Sequence, residues 1–514
     1  MDAKNTAVWC WVCALVAAFA PPAAAQADGP DDAVRGLLSR FESPGSPGVA
    51  VAVVRDGQTV LVESIGLAHL EHAVPVDGAT VFHTASVSKQ FTAAAVLLLE
   101  REGRLSLDDD VREYLPELPD FGPTIRLRHL LWHTSGLRDQ WQLLGAAGWR
   151  EDDAVTNGHV WRAIVRKRAL NFEPGTREMY CNTGYTLLAE VVSRVSGEPF
   201  SAFCRREIFG PLGMESTRFH DDEHAVVPRR AESYSRAEDG TWKRFGLSFG
   251  TVGATGMLTT AEDLALWASE LLTGRVLGPD LIDRMVEPGR LESGKAISYA
   301  SGLFVGESRG QRSFWHPGGD SGFRAGIQCY PERGIGVVVL ANRADINAWA
   351  MPYTIAKQYL EADAAPEDGE DGEDGENGED AQAEPRTDGQ GSPGRTGTKP
   401  TPITQRAAFA QPDPSGTADP DAKTSAATRP LDDVAGRYRS AELETVYELR
   451  AQDDGILAVH FRNEPVELRP LRDGFYGGGS WYFREIEIVR AADGSVEGFL
   501  LHNSRARNLW FARE

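Results

Sequence analysis

Ser86-Val87-Ser88-Lys89-Gln90-Phe91-Thr92-Ala93-Ala94-Ala95-Val96-Leu97-Leu98-Leu99 sets a serine three residues before a lysine at the head of an apolar run. Phe91, Ala94, Ala95, Leu98 and Leu99 recur at helical spacing, and Gly103 suits a C-terminal stop, so the pattern predicts one amphipathic helix over 86–103. Residues three apart on a helix are surface neighbours, which brings the Lys89 amine beside the Ser86 hydroxyl. The positive end of the helix dipole favours a developing alkoxide there. A nucleophilic serine without a neighbouring histidine needs such a basic group within reach. Alone the spacing is weak, because a capping serine and a solvated lysine satisfy it equally well.

Two later segments give the pair a setting. Phe172-Glu173-Pro174-Gly175-Thr176 forms a turn ahead of Tyr180-Cys181-Asn182, and an apolar helical pattern follows over 187–195. Trp315-His316-Pro317-Gly318-Gly319 precedes an alternating strand over 322–330. In this order S-x-x-K, Y-x-N and H-x-G resemble the serine β-lactamase and penicillin-binding-protein superfamily. Within it the chain is most similar to the class C β-lactamase-related group of D,D-peptidases, D-aminopeptidases and esterases. His133-Thr134-Ser135-Gly136-Leu137 and the segment 208–214 add to the likeness, which spans 49–360.

The resemblance implies a role for each motif residue. Ser86 is the expected nucleophile, and Lys89 and Tyr180 share the proton work, their division left open. Asn182 is expected to hold Lys89 and to bind the amide of the substrate's acyl side chain. The Ser86 N–H supplies one oxyanion donor. Pro317 has no N–H, so the second comes from Gly318 or Gly319, and the family pattern favours Gly319. His316 and Gly318 fall on the substrate side. Many relatives carry lysine at the His316 position, a permanent cation for a substrate carboxylate. An imidazole with ordinary pKa near ~6.5 is only partly charged at neutral pH. That departure weakens the case for a dedicated β-lactamase, and a structural role for His316 stays open. Gly319-Asp320-Ser321-Gly322 imitates a chymotrypsin-type serine, but no matching histidine segment accompanies it, so Ser321 reads as a turn residue. His133 reads as structural.

Strand patterns at 49–54 and 59–64 flank the turn Asp56-Gly57, and those at 322–330 and 335–341 flank Pro331-Glu332-Arg333-Gly334. A helix is expected over 31–41. Strands at both ends with helical segments between them predict an α/β fold: an antiparallel sheet flanked by helices, with a helical lobe. The active site is expected in the cleft between the two. Residues 431–514 carry six short strand patterns, at 445–449, 456–461, 466–469, 481–488, 496–501 and 506–511, which favour a small antiparallel barrel. It resembles the lipocalin-like domain appended to some hydrolases of this superfamily. Covering the active site, homo-oligomerisation and ligand binding all remain open roles for it.

The ends and the middle of the chain set its organisation. Lys4, the apolar run 7–20 and Ala23-Ala24-Ala25 predict a cleaved signal peptide over 1–25, hence a periplasmic or secreted protein with no stable membrane span. The catalytic unit is expected over 26–360. Much of the net charge of −22 is local, since 361–384 holds twelve carboxylates and no basic residue. With the Gly/Pro/Ser-rich stretch after it, this makes 361–430 an expected disordered linker. The acidic balance argues against nucleic-acid partners. The mature chain keeps Cys181, Cys204 and Cys329, an odd number, and neither cysteines nor histidines show metal-ligand spacing. No metal or cofactor is expected. The reading is an exported serine hydrolase working through an acyl-enzyme on Ser86, on peptide or ester acyl groups. The alternatives are a β-lactamase proper or a penicillin-recognising sensor with little turnover.

Overall fold

The computed structural model describes residues 29–363 and 431–514, so the expected leader and most of the expected linker lie outside the described residues. The first unit begins with helix α1 (Pro30–Ser39) and the hairpin β1 (Val49–Arg55) and β2 (Gln58–Ile65). Asp56 and Gly57 both take positive φ, 51° and 79°, the type I′ geometry whose twist matches the two strands. The other end of the unit supplies β3 (Phe304–Ser308), β4 (Gln311–Asp320), β5 (Phe323–Tyr330) and β6 (Ile335–Ala341). The six strands form one antiparallel sheet in the order β3-β4-β5-β6-β1-β2. Pairing β1 with β6 closes the two chain ends on each other, as the hairpin patterns predict.

β1 explains why both faces of this sheet are covered. Val49, Val51 and Val53 enter one core with α1 and a C-terminal helix, whereas Ala50, Ala52 and Val54 enter the other. All six are fully buried, and at roughly 1.5–3 kcal/mol for each large side chain this strand anchors both layers. The second core continues into the helical lobe, whose central members are α2 (Ser88–Arg101), α3 (Gln140–Ala146) and α4 (Asn182–Ser196). The helix expected over 86–103 is two pieces: a single 3₁₀ turn at Ala85–Val87 and then α2. Gly103 does end the run, at φ 69°. No helix among the described residues is long and apolar enough to cross a membrane. Cys181, Cys204 and Cys329 are buried free thiols.

The second unit is a closed eight-stranded antiparallel barrel. Its strands are β7 (Gly436–Ser440), β8 (Thr445–Gln452), β9 (Gly455–Val459), β10 (Val466–Arg472), β11 (Phe475–Ser480), β12 (Phe483–Arg490), β13 (Val496–His502) and β14 (Leu509–Arg513). Two of these, β7 and β11, were not legible as strands; β11 carries Gly477, Gly478 and Gly479, which erase any alternating pattern. Tyr438, Tyr447, Phe483, Phe499 and Phe511 fill the interior.

The barrel is docked on the catalytic unit. Leu143 and Ala146 of α3 belong to the barrel's hydrophobic core rather than to their own unit's. A Cβ on Gly145 would meet Trp481 at 2.6 Å, and one on Gly148 would meet the His460 ring at 2.0 Å, so glycine is required at both contacts. Residues 143–148 therefore present a barrel-binding face, whereas Trp141 and Leu144 pack in the catalytic unit's own core.

Candidate active site

Ser86 lies in the 3₁₀ turn, and the residue before it, Ala85, is held at φ 49°. That conformation is costly for a residue with a Cβ and is a mark of a constrained site. The strand opposite is β4. Its partner β3 pairs only as far as Trp315, so Pro317–Asp320 forms an open edge. There a proline, which cannot donate to a ladder, is tolerated. A Cβ on Gly318 would meet the Thr84 carbonyl at 2.3 Å and the Ser86 nitrogen at 3.2 Å, so only glycine lets the strand pass this close to Ser86. N–H groups alternate along a strand, so that of Gly319 shares the side on which Pro317 has none.

Lys89 is fully buried within α2. Its Nζ lies 3.0 Å from Ser86 Oγ, 2.9 Å from Asn182 Oδ1 and 2.7 Å from the Ala254 carbonyl. Asn182 cannot present its amide nitrogen instead, because Nδ2 donates to Asp139 Oδ2 at 2.8 Å. The same carboxylate oxygen accepts the Asn182 N–H at 2.7 Å, and Asp139 Oδ1 caps α3 through Trp141 N–H. Two of the three neighbours of Lys89 are thus acceptors only. A neutral amine has two N–H groups and one lone pair, so satisfying both acceptors leaves its lone pair for the Ser86 hydroxyl. Burial pushes the Lys89 pKa down to about 7, against the upward pull of the Asp320 and Asp139 charges. An ammonium is expensive in this enclosure and the neutral base is accessible near pH 7.

Tyr180 moves the other way. Burial raises its pKa, and the Ser86 hydroxyl and the Arg505 charge only partly oppose that. The phenol keeps its proton. Its hydroxyl is buried and faces the Ser86 hydroxyl. The His133 ring packs 4.2 Å from the Tyr180 ring, and His133 Nδ1 accepts the Cys181 N–H at 3.1 Å, so this neutral imidazole positions the Tyr180–Asn182 segment. The structural reading of His133 holds.

Of the two roles left open for His316, its surroundings favour the structural one. Its side chain is fully buried, and Nδ1 faces the Pro317 carbonyl at 2.7 Å while Nε2 faces the Tyr299 hydroxyl at 3.0 Å. A carbonyl only accepts, so Nδ1 carries the hydrogen and Nε2 accepts from Tyr299. Burial, reinforced by the Lys89 charge, pushes the pKa down to about 3. At neutral pH the ring bears no charge. Ser321, at φ 47° in the β4–β5 turn, is buried with its hydroxyl directed at the Gly246 carbonyl.

Sequence reasoning missed two members of this cluster. Asp139, which fixes Asn182, carried no motif signal. Arg505 comes from the β13–β14 connection of the barrel and places its guanidinium carbon 5.0 Å from the centre of the Tyr180 ring. The expected strand over 506–511 begins only at Leu509, which frees the preceding residues to form this connection.

Comparison with known proteins places these observations. The chain is 28% identical over 310 residues to a D-aminopeptidase of Gluconobacter oxydans, covering 60% of this chain and 58% of that protein. Penicillin-binding protein 4* of Bacillus subtilis is 28% identical over 311 residues, 57% of this chain and 68% of that one. Thus the chain spans less than two thirds of the length of the D-aminopeptidase it matches. Among solved structures, D-amino acid amidase from Ochrobactrum anthropi SV3 superposes with TM-score 0.55 at 25% identity, over 65% of this chain and 98% of that one. The octameric penicillin-binding protein homologue from Pyrococcus abyssi shares the fold over 94% of this chain and 99% of its own, with TM-score 0.57 at 19% identity. The family model described as Beta-lactamase matches residues 31–356, the whole unit that carries Ser86, Lys89, Tyr180 and His316, and the chain belongs to that family of serine hydrolases.

Proposed function

We propose that the protein hydrolyses peptide or ester acyl groups through an acyl-enzyme on Ser86, with Lys89 as the base. The observation that carries this reading is the Lys89 amine, held by two acceptor-only partners with its third position on Ser86 Oγ. Lys89 takes the hydroxyl proton as Oγ attacks the acyl carbon, and the Ser86 and Gly319 N–H groups receive the oxyanion. The bond to the leaving amine or alcohol then breaks, and the proton passes from Lys89 to that group, with the protonated Tyr180 phenol as hydrogen-bond donor beside it. Water, deprotonated by the same amine, releases the acid and restores Ser86.

The D-aminopeptidase and amidase relatives support D-amino-acid derivatives as substrates. A panel of D-alanyl peptides, p-nitrophenyl esters and nitrocefin tests the reading. Turnover of the first two with slow or no nitrocefin hydrolysis is expected. Fast nitrocefin turnover would make the protein a β-lactamase, and a stable β-lactam adduct without turnover on any substrate would make it a sensor. The leader expected over 1–25 supports a periplasmic or secreted location, checked by cell fractionation. Light scattering tests assembly: the Pyrococcus abyssi homologue is octameric, which supports a homo-oligomer here.

A further inference from the structure

The carboxylate of Asp320 joins three segments that each carry one part of the chemistry. Its Oδ2 faces His83 Nε2 at 2.8 Å and accepts from Thr255 Oγ1 at 2.5 Å. A carboxylate only accepts, so the His83 hydrogen sits on Nε2. Asp320 ends β4 directly after Gly319, the second oxyanion donor of the mechanism above. His83 lies three residues before Ser86, on the segment that enters the strained turn at Ala85. Thr255 follows Ala254, whose carbonyl holds the Lys89 amine.

All three side chains are buried. The two donor segments are already bound to each other without Asp320. The Thr84 N–H donates to the Met257 carbonyl at 3.0 Å, and the Met257 N–H donates to Ser88 Oγ at 3.1 Å. The carboxylate adds the tie from this pair to β4. Packing alone would be met at lower cost by an apolar residue, because enclosing a carboxylate carries a desolvation penalty. The charge has a use nearby. When Lys89 takes the Ser86 proton it becomes an ammonium in an enclosure, which is unfavourable without an opposite charge. The charges of Asp320 and Asp139 hold the Lys89 pKa up, whereas that of Arg505 lowers it. The other groups facing Lys89 are the Cys181 thiol, neutral His133 and His316, and the Tyr180 and Tyr185 rings.

We propose that Asp320 is a positioning residue of the acyl-transfer site. It ties the Gly319 strand to the Ser86 turn and the Ala254 carbonyl, and supplies a counter-charge to Lys89 as that amine takes the serine proton. The assignment rests on the acyl-enzyme reading of Ser86 and Lys89.

The two parts of this role separate by substitution. Both donors meet one oxygen, so the carboxamide oxygen of Asp320→Asn can accept both and only the charge is lost. Thr255→Val keeps the charge and removes one of the two bonds. The measurement is the pH profile of kcat/KM on a neutral p-nitrophenyl ester with the full chain. Rates are taken per Ser86 labelled by a fluorophosphonate, so misfolded protein does not count. Asp320→Asn is expected to move the rising limb to lower pH, because a charge that raises the Lys89 pKa is gone. Thr255→Val should lower kcat/KM roughly 10-fold and leave the limb in place. Asp320→Ala should do both, with a loss of roughly 10- to 100-fold. A limb unmoved in Asp320→Asn overturns the proposal, as does a wild-type kcat/KM in Thr255→Val. Should Asp320→Ala fail to fold, these two conservative variants decide alone. Labelling of wild type with unchanged profiles in the variants rejects only the role of Asp320. Absence of labelling in wild type rejects the acyl-enzyme reading itself.

Discussion

Lys89 and Arg505 are two cations at one site, reached by opposite routes. Lys89 sits on the helix that carries the nucleophile, three residues away, and burial pushes its pKa down to about 7. Arg505 sits more than four hundred residues further on, in another folded unit, with its guanidinium carbon 5.0 Å from the centre of the Tyr180 ring. An amine that is to act as a base must give up its charge near the working pH. The fold encloses the amine, and the Arg505 charge delivered by the barrel pushes its pKa further down.

The largest expected effects break the Lys89 side of this comparison. Ser86→Ala should lower kcat/KM by ~10³-fold or more and abolish fluorophosphonate labelling, since the nucleophile's contribution is not shared out. Lys89→Arg, charged at every accessible pH, should do nearly the same. With Lys89 as the proposed base the productive form carries it neutral, so kcat/KM should rise with pH through about 7 and then level. A profile flat from pH 5 to 9 would remove Lys89 as the base.

Asp139→Asn is expected to come next. Both carboxylate oxygens accept N–H groups, from Trp141 on one side and Asn182 on the other, so a carboxamide must turn its NH₂ toward a donor. Leaving buried donors unmatched costs about 1–3 kcal/mol, and a displaced Asn182 loosens Lys89, so activity should fall ~10-fold or more. The Asp139 charge raises the Lys89 pKa, so its removal should move the rising limb of the profile to lower pH. A loss of rate with no shift of that limb would limit Asp139 to a structural part.

The two sides also differ in how far the sequence showed them. Ser86, Lys89, Tyr180 and Asn182 were legible because local spacing places them on two helix starts, where geometry follows from a few residues. The sheet was legible for the same reason: Val49–Val54 and the turns at 56–57 and 331–334 encode their own pairing. The charge state of His316 was not, because it depends on enclosure by Tyr299 and the Pro317 carbonyl rather than on neighbours in sequence. Arg505 was invisible altogether. Its position depends on α3 burying Leu143 and Ala146 in the barrel, a contact between surfaces that no periodicity announces.

That docking can be strained without touching any catalytic group. Gly148 has φ 90°, and a Cβ there would meet the His460 ring at 2.0 Å. Gly148→Ala therefore combines backbone strain with a clash at the interface, and about 2–3 kcal/mol of destabilisation is expected. Thermal melts should show a lower or split transition. An unchanged melt would show that the interface yields at little cost.

The smallest expected effect is a null one, and it concerns the charge of His316. Acid and carboxamide substrates both require neutral Lys89 and protonated Tyr180, so the titrations of these two groups cancel in the ratio of their kcat/KM values. What remains is any titrating group that senses the carboxylate. His316 contributes no step between pH 5 and 8, since its pKa is pushed down to about 3, so the ratio should stay constant across that window. A ratio that falls as pH rises through ~6.5, and becomes flat in His316→Gln, would return the carboxylate-reading role to the histidine.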